Sequence, residues 1–207
     1  MHPNPAYRQN PAEQSLGFAR SRGFGTLVLN GAAGPLASHI PFVVTEDGAF
    51  AEFHLVRSNP IARALTAPQP ALIAVGGPDG YVSPDWYAAG HDQVPTWNYI
   101  AVHLRGTAEA LPAEALRPHL DRLSAHFEAM LAPKPPWTID KMPAEALARM
   151  LRQIVPCRMR IDRIDGTWKL NQNKPAEARL RAAEAMAGSA TGQETAALAD
   201  LMRAVEK

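Results

Sequence analysis

Between residue 25 and about residue 110, apolar positions fall in short runs with no helical spacing. The runs are Gly25 to Asn30, Leu36 to Val44, Ala49 to Val56, Ala71 to Gly76 and Tyr99 to Ala108. Each reads as a β-strand. The last is the clearest, because Ile100, Val102 and Leu104 alternate with Tyr99, Ala101, His103 and Arg105, giving one apolar and one mostly polar face. Turns at Asn30-Gly31 and Glu46-Asp47-Gly48 separate the first three runs as a meander of hairpins. Gly23-Phe24-Gly25 lacks the third glycine of a dinucleotide fingerprint and reads as the start of a strand.

Helical signals flank this region. Asn10 as N-cap, Pro11 at the first helical position and Glu13 at a capping-box position predict a short helix ending near Gly23. Beyond Pro112, helices are expected over Ala113 to Leu131, broken at Pro118, and over Pro143 to Ile154, with Pro133, Pro135 and Pro136 forming an extended link. Cys157 to Ile164 reads as a returning strand with Met159, Ile161 and Ile164 inward, and an Ala-rich helical tail follows from Ala176, broken near Gly188 and Gly192. Strands in close succession imply a closed or split antiparallel barrel, so the class is mainly β with added helices (α+β). The expected division is a barrel domain over 1–175 and a helical extension over 176–207.

Composition narrows the function. With 46% hydrophobic and 20% charged residues in 207, the chain can bury a core, and disorder is excluded. A net charge of +1 removes the general attraction to phosphate polymers. The lone Cys157 excludes an internal disulfide and a multi-cysteine zinc site, which fits a reducing compartment. The longest stretch free of charged side chains, Gly23 to Thr45, is broken by Asn30, Gly31, Gly34, Pro35 and Pro41 and cannot be a membrane helix. The N-terminus lacks the apolar block of a signal peptide, so a cytoplasmic protein without membrane attachment is expected. Charge is uneven only over Arg149 to Arg181, where nine Lys and Arg face three Asp and Glu. That zone reads as a solvated, ion-paired surface or as a source of cations for a bound anion. His39, His54 and His103 lie in separate strands without metal-ligand spacing, so no metal is expected.

The remaining chemistry gathers at strand ends. The clusters are Ser38-His39-Ile40-Pro41-Phe42, His54 to Pro60, Gly77 to Tyr87, Pro95-Thr96-Trp97-Asn98-Tyr99 and Lys169-Leu170-Asn171-Gln172-Asn173. Singly, each has a structural explanation; Asn59-Pro60 is an ordinary helix start and Ser83-Pro84 an ordinary turn. Together, their cations, hydroxyls, amides and aromatics match a ligand with a phosphate at one end and a flat heteroaromatic at the other, as in flavin mononucleotide (FMN). Arg57 and Lys169 with the Ser58 and Thr96 hydroxyls are candidates for the phosphate, since a buried anion needs charge-assisted donors. Asn98, Gln172 and Asn173 can both donate to and accept from a ring edge, and Trp97, Tyr99, Ile40 and Phe42 could wall its faces.

These runs, in order and at suitable spacing from Pro3 to about Leu180, resemble the PaiB-type family of FMN-binding negative transcriptional regulators. The resemblance implies an FMN-binding split β-barrel, usually a homodimer with flavin at the subunit interface. It places His54, Arg57 and Ser58 at the phosphate, His39, Ile40, Pro41 and Phe42 beside the ring, and Thr96, Trp97, Asn98, Lys169, Gln172 and Asn173 in two further binding elements. Asn171 stands where serine is usual, and Phe53 and Val56 replace small residues. A DNA-binding role has little support in the residues. The tail carries only Arg203 and Lys207 as late cations against Glu194, Asp200 and Glu206, which is a poor recognition helix. The alternative is a flavin-dependent oxidoreductase of the flavin-reductase or pyridoxamine-phosphate-oxidase kind, for which no catalytic residue stands out. A third is a barrel that has lost flavin and holds another planar anion, haem included, or serves as a scaffold.

Overall fold

A computed structural model describes residues 1–88 and 92–205. Among these, seven strands form: Phe24–Gly31 (β1), Gly34–Val44 (β2), Phe50–Val56 (β3), Gln69–Val82 (β4), Thr96–Ala110 (β5), Ile154–Lys169 (β6) and Gly192–Gln193 (β7). They are hydrogen-bonded in the order β1-β2-β3-β6-β5-β4-β7, and β1 also pairs with β4, so the ladder returns on itself as a split barrel must. Six helices complete this α+β chain: Ala12–Arg22 (α1), Pro60–Ala64 (α2), Leu116–Ala129 (α3), Ala144–Leu151 (α4), Ala176–Ala187 (α5) and Thr195–Arg203 (α6). No described helix is long and apolar enough to cross a membrane. The chain divides into a first unit of residues 1–15, 76–103 and 165–207 and a second of 16–75 and 104–164.

The second unit is built on the expected hairpins. β1 and β2 pair from Phe24↔Pro41 to Gly31↔Gly34, which puts the two-residue loop at Ala32 and Ala33, two positions beyond the expected Asn30-Gly31 turn. The turn into β3 falls where expected, with Gly48 at φ 74°. β3 then pairs antiparallel with β6, from Phe50↔Arg160 to Val56↔Ile154. Leu27, Ile40, Phe42, Phe53, Ile73, Leu104 and Met159 are wholly buried here. The expected break at Pro118 does not occur. α3 starts at Leu116, so Pro118 lies in the first turn, where its missing N–H would have had no helical partner. Gly106 is required by close approach, because a Cβ there would lie 1.6 Å from the Arg160 carbonyl oxygen.

The first unit contains both helices of the tail. β4 continues to Val82 through Gly77-Pro78-Asp79-Gly80, a stretch whose composition reads as loop, because β7 pairs with it at Asp79↔Gln193 and Gly80↔Gly192. Gly80 leaves room for Met186 and Leu198, buried core residues of α5 and α6. Buried Arg179 donates from Nε to the Met202 carbonyl at 3.0 Å and from Nη2 to the Val205 carbonyl at 2.9 Å. It thus caps the C-terminal end of α6, where the helix dipole favours a cation. β6 outruns the expected Cys157 to Ile164 and carries Trp168 and Lys169 as strand residues. Lys207 and Glu206, weighed above as tail charges, lie outside the described residues.

Candidate functional site

In the second unit, strand alternation sorts the β2 cluster into two faces. Ile40 and Phe42 are 1% and 0% exposed and belong to the core, whereas His39 is exposed and Pro41 half-buried. The open face of this strand is therefore the His39 side, where the His39 ring stacks on exposed Phe24 at 6.3 Å and 28°. Ser38 is tied to the cluster after β3, since its Oγ accepts from Asn59 Nδ2 at 3.0 Å. Asn59 Oδ1 in turn caps α2 by accepting from the Ile61 N–H at 2.8 Å.

His54, on β3, meets a residue that sequence reading missed. Its Nδ1 lies 3.1 Å from Nε2 of His119 on α3, so one ring donates and the other accepts. His119 is 2% exposed. Burial, followed by the neighbouring His54 and Arg122 charges, pushes its pKa down to about 4, and burial lowers that of His54 too. Both rings are therefore neutral at pH 7. The available signal was the apolar stripe of α3, on which His119 falls between Leu116 and Leu123. Past the end of β3, Arg57 and Ser58 are exposed in the turn before α2. Arg57 Nε donates to the Arg152 carbonyl at 2.6 Å, and Arg63 Nη2 to the Ser58 carbonyl at 2.7 Å. The Arg63 guanidinium thus lies against this turn, while that of Arg57 reaches the backbone of Arg152.

In the first unit, Lys169 Nζ donates to Thr96 Oγ1 and lies 5.7 Å from the centre of the Tyr7 ring. Burial lowers the Lys169 pKa, and no carboxylate among the described residues lies within ion-pair distance of it. A half-buried ammonium lacking an anionic partner beside a hydroxyl is a fitting receptor for phosphate. Trp97, on the opposite face of β5 from Thr96, is 46% exposed and meets Tyr81 edge-on at 6.3 Å. The amides are placed differently from one another. Asn98 is fully buried, with Nδ2 donating to Met202 Sδ at 3.5 Å and Oδ1 unpartnered among the described residues. Gln172 is bound internally, accepting from the Leu170 N–H at 2.7 Å and donating to the Trp168 and Ala6 carbonyls at 2.5 and 3.2 Å. Asn173 is exposed. Asn171 has φ 60°, a left-handed conformation that asparagine tolerates, and accepts from Tyr87 Oη at 3.5 Å.

Four of the nine cations in the basic zone are committed locally. Arg158 bonds Glu109 at 2.7 Å, Arg160 bonds Asp162 at 2.7 Å and Arg181 bonds Glu177 at 2.7 Å, while Arg179 is committed to α6. No group of three or more metal-ligating side chains occurs among the described residues.

Residues 1–163 match the family described as "Putative FMN-binding domain". Over 170 residues the chain is 31% identical to the Bacillus subtilis "Protease synthase and sporulation protein PAI 2", covering 81% of this chain and 80% of that one. The fold is similar to that of the FAD and heme binding protein from Mycobacterium smegmatis, with a TM-score of 0.58 at 21% identity over 90% of this chain and 82% of that one. It is also similar to the flavocytochrome Anf3 from Azotobacter vinelandii, with a TM-score of 0.51 at 18% identity over 78% and 67% of the two chains. At these identities the structural likeness speaks to the split-barrel fold alone.

Proposed function

This chain belongs to the PaiB-type family of FMN-binding domains, and on that footing we propose that it is an FMN-binding negative transcriptional regulator working as a cytoplasmic homodimer. The observation that carries the flavin reading is the family match over residues 1–163. Bound flavin would supply electron transfer. The residues offer two receptors for its phosphate. Arg57 and Ser58, with Arg63 beside them, form one; Lys169 with Thr96 forms the other, beyond the matched segment. In the first unit Trp97 is an aromatic surface open to a flat ring and Asn173 is exposed; in the second, His39 is exposed and Pro41 half-buried beside it. Ile40, Phe42, His54, Asn98 and Gln172 support those surfaces from within each unit. Exposed Phe24, Val56 and Trp97 favour a dimer with flavin at the subunit interface, because exposed apolar side chains of this size suit an interface.

The test begins with denaturing the purified protein and identifying the released small molecule by mass spectrometry. Recovery of FMN, or saturable binding of added FMN, is expected; failure of both refutes the reading. Arg57→Ala and Lys169→Ala then assign the phosphate. The substitution that leaves the anion short of a partner weakens FMN binding by roughly 2–5 kcal/mol, and unchanged affinity removes that residue from the site. Salt-sensitive retardation of a specific promoter fragment supports the regulator. Anaerobic bleaching of the flavin by a nicotinamide cofactor, without DNA binding, would point to the oxidoreductase alternative.

A further inference from the structure

The second unit holds a cavity of about 260 Å³ where the start of α3, the end of α4 and the start of β6 meet. Its lining is mostly apolar, from Leu116, Leu151, Ile154 and Pro156, and its charged members are Arg57, Arg152, Arg117 and Glu114. Arg57 reaches the Arg152 backbone, its Nε donating to the Arg152 carbonyl at 2.6 Å, and both residues border the cavity. Neither has a carboxylate within ion-pair distance among the described residues. The remaining charges do not fill that role. Arg117 is already bound to Asp121 and Asp140 at 2.9 and 2.8 Å, and Glu114 is exposed.

We propose that this cavity binds an amphiphilic organic anion, with the carboxylate held by the Arg57 and Arg152 guanidinium groups and the apolar body among Leu116, Leu151 and Ile154. Two forks of N–H donors suit a planar carboxylate, whereas a polyanion would gain nothing from the apolar walls. The volume lies at the small end of ligand pockets and suits a chain of about six to eight carbons or one aryl ring. Such a ligand would join α3, α4 and β6, three elements far apart in sequence, as an effector of a regulator does. This site goes beyond the flavin reading but shares Arg57 with one of the two phosphate receptors named there, whereas Arg152 belongs to this cavity alone.

The experiment is calorimetric titration of the full-length protein with sodium octanoate, neutral octanamide and inorganic phosphate. Octanoate is expected to bind saturably, and the other two at least roughly tenfold more weakly. Arg152→Gln should weaken octanoate roughly tenfold while leaving flavin content unchanged. Arg149→Gln, which removes the same charge from α4 outside the lining, should leave octanoate binding as it was. Absence of saturable octanoate binding overturns the proposal. So does equal binding of octanamide or phosphate, an unaltered Arg152→Gln variant, or equal loss in Arg149→Gln.

Discussion

Acidification should destabilise the second unit through the buried pair of His54 and His119. At neutral pH the two rings share one hydrogen bond over 3.1 Å, and protonating either would set two N–H groups against each other. The same charge would arise near Arg122, which is itself paired with Glu52. The pKa of His119 falls from its usual 6.5 to about 4 in the folded chain. Between those values the unfolded chain therefore binds more protons than the folded one. The stabilisation is complete above pH 6.5, falls as the pH drops, and is gone near pH 4. At about 1.4 kcal/mol per pH unit, the loss is roughly 2 kcal/mol by pH 5 and roughly 3 kcal/mol near pH 4. His54, lowered by burial, adds in the same direction. Carboxylates with ordinary pKa values stay largely ionised at pH 5, which leaves a window for the histidines. Urea unfolding followed by circular dichroism at pH 7.5, 6.5, 5.5 and 5.0, on wild type and on His119→Gln, measures the effect. Wild type should lose roughly 2 kcal/mol more than the variant between pH 7.5 and 5.0. Parallel stability curves would refute the reasoning.

Three further expectations follow from packing and exposure. Gly106→Ala should destabilise by at least about 4 kcal/mol, because its Cβ would lie 1.6 Å from the Arg160 carbonyl oxygen. Gly17→Ala, at an exposed position of α1 with nothing within 4 Å of the new Cβ, should instead stabilise by about 1 kcal/mol; thermal melts compare the two. Cys157 is 1% exposed, and burial pushes its thiol up to about 12. A disulfide reagent at pH 8 should therefore leave it untouched in the native protein and label one thiol per chain in urea. Rapid labelling without denaturant would contradict that burial.

The sequence by itself determined which chemistry the chain can offer and much of its local structure. The alternation of Ile100, Val102 and Leu104 holds in β5, where all three are at most 2% exposed. The Asn59 cap of α2 and the turn at Gly48 also lie where local residue preferences put them. These features depend on neighbours a few positions apart, so they can be read from a linear text. Tertiary structure alone decided partners far apart in the chain. His54 meets His119 from 65 residues away, and Lys169 meets Thr96 from 73. It also decided that Gly77 to Gly80 form strand, because Gly80, which suggests a loop, makes room for Met186 of α5 and Leu198 of α6 and pairs with β7. Alternation on β2 separates Ile40 and Phe42 from His39 and Pro41, but only the neighbouring strands make the former pair the core. A one-dimensional pattern fixes which residues share a face, and the burial that gives each face its role comes from elements distant in the chain.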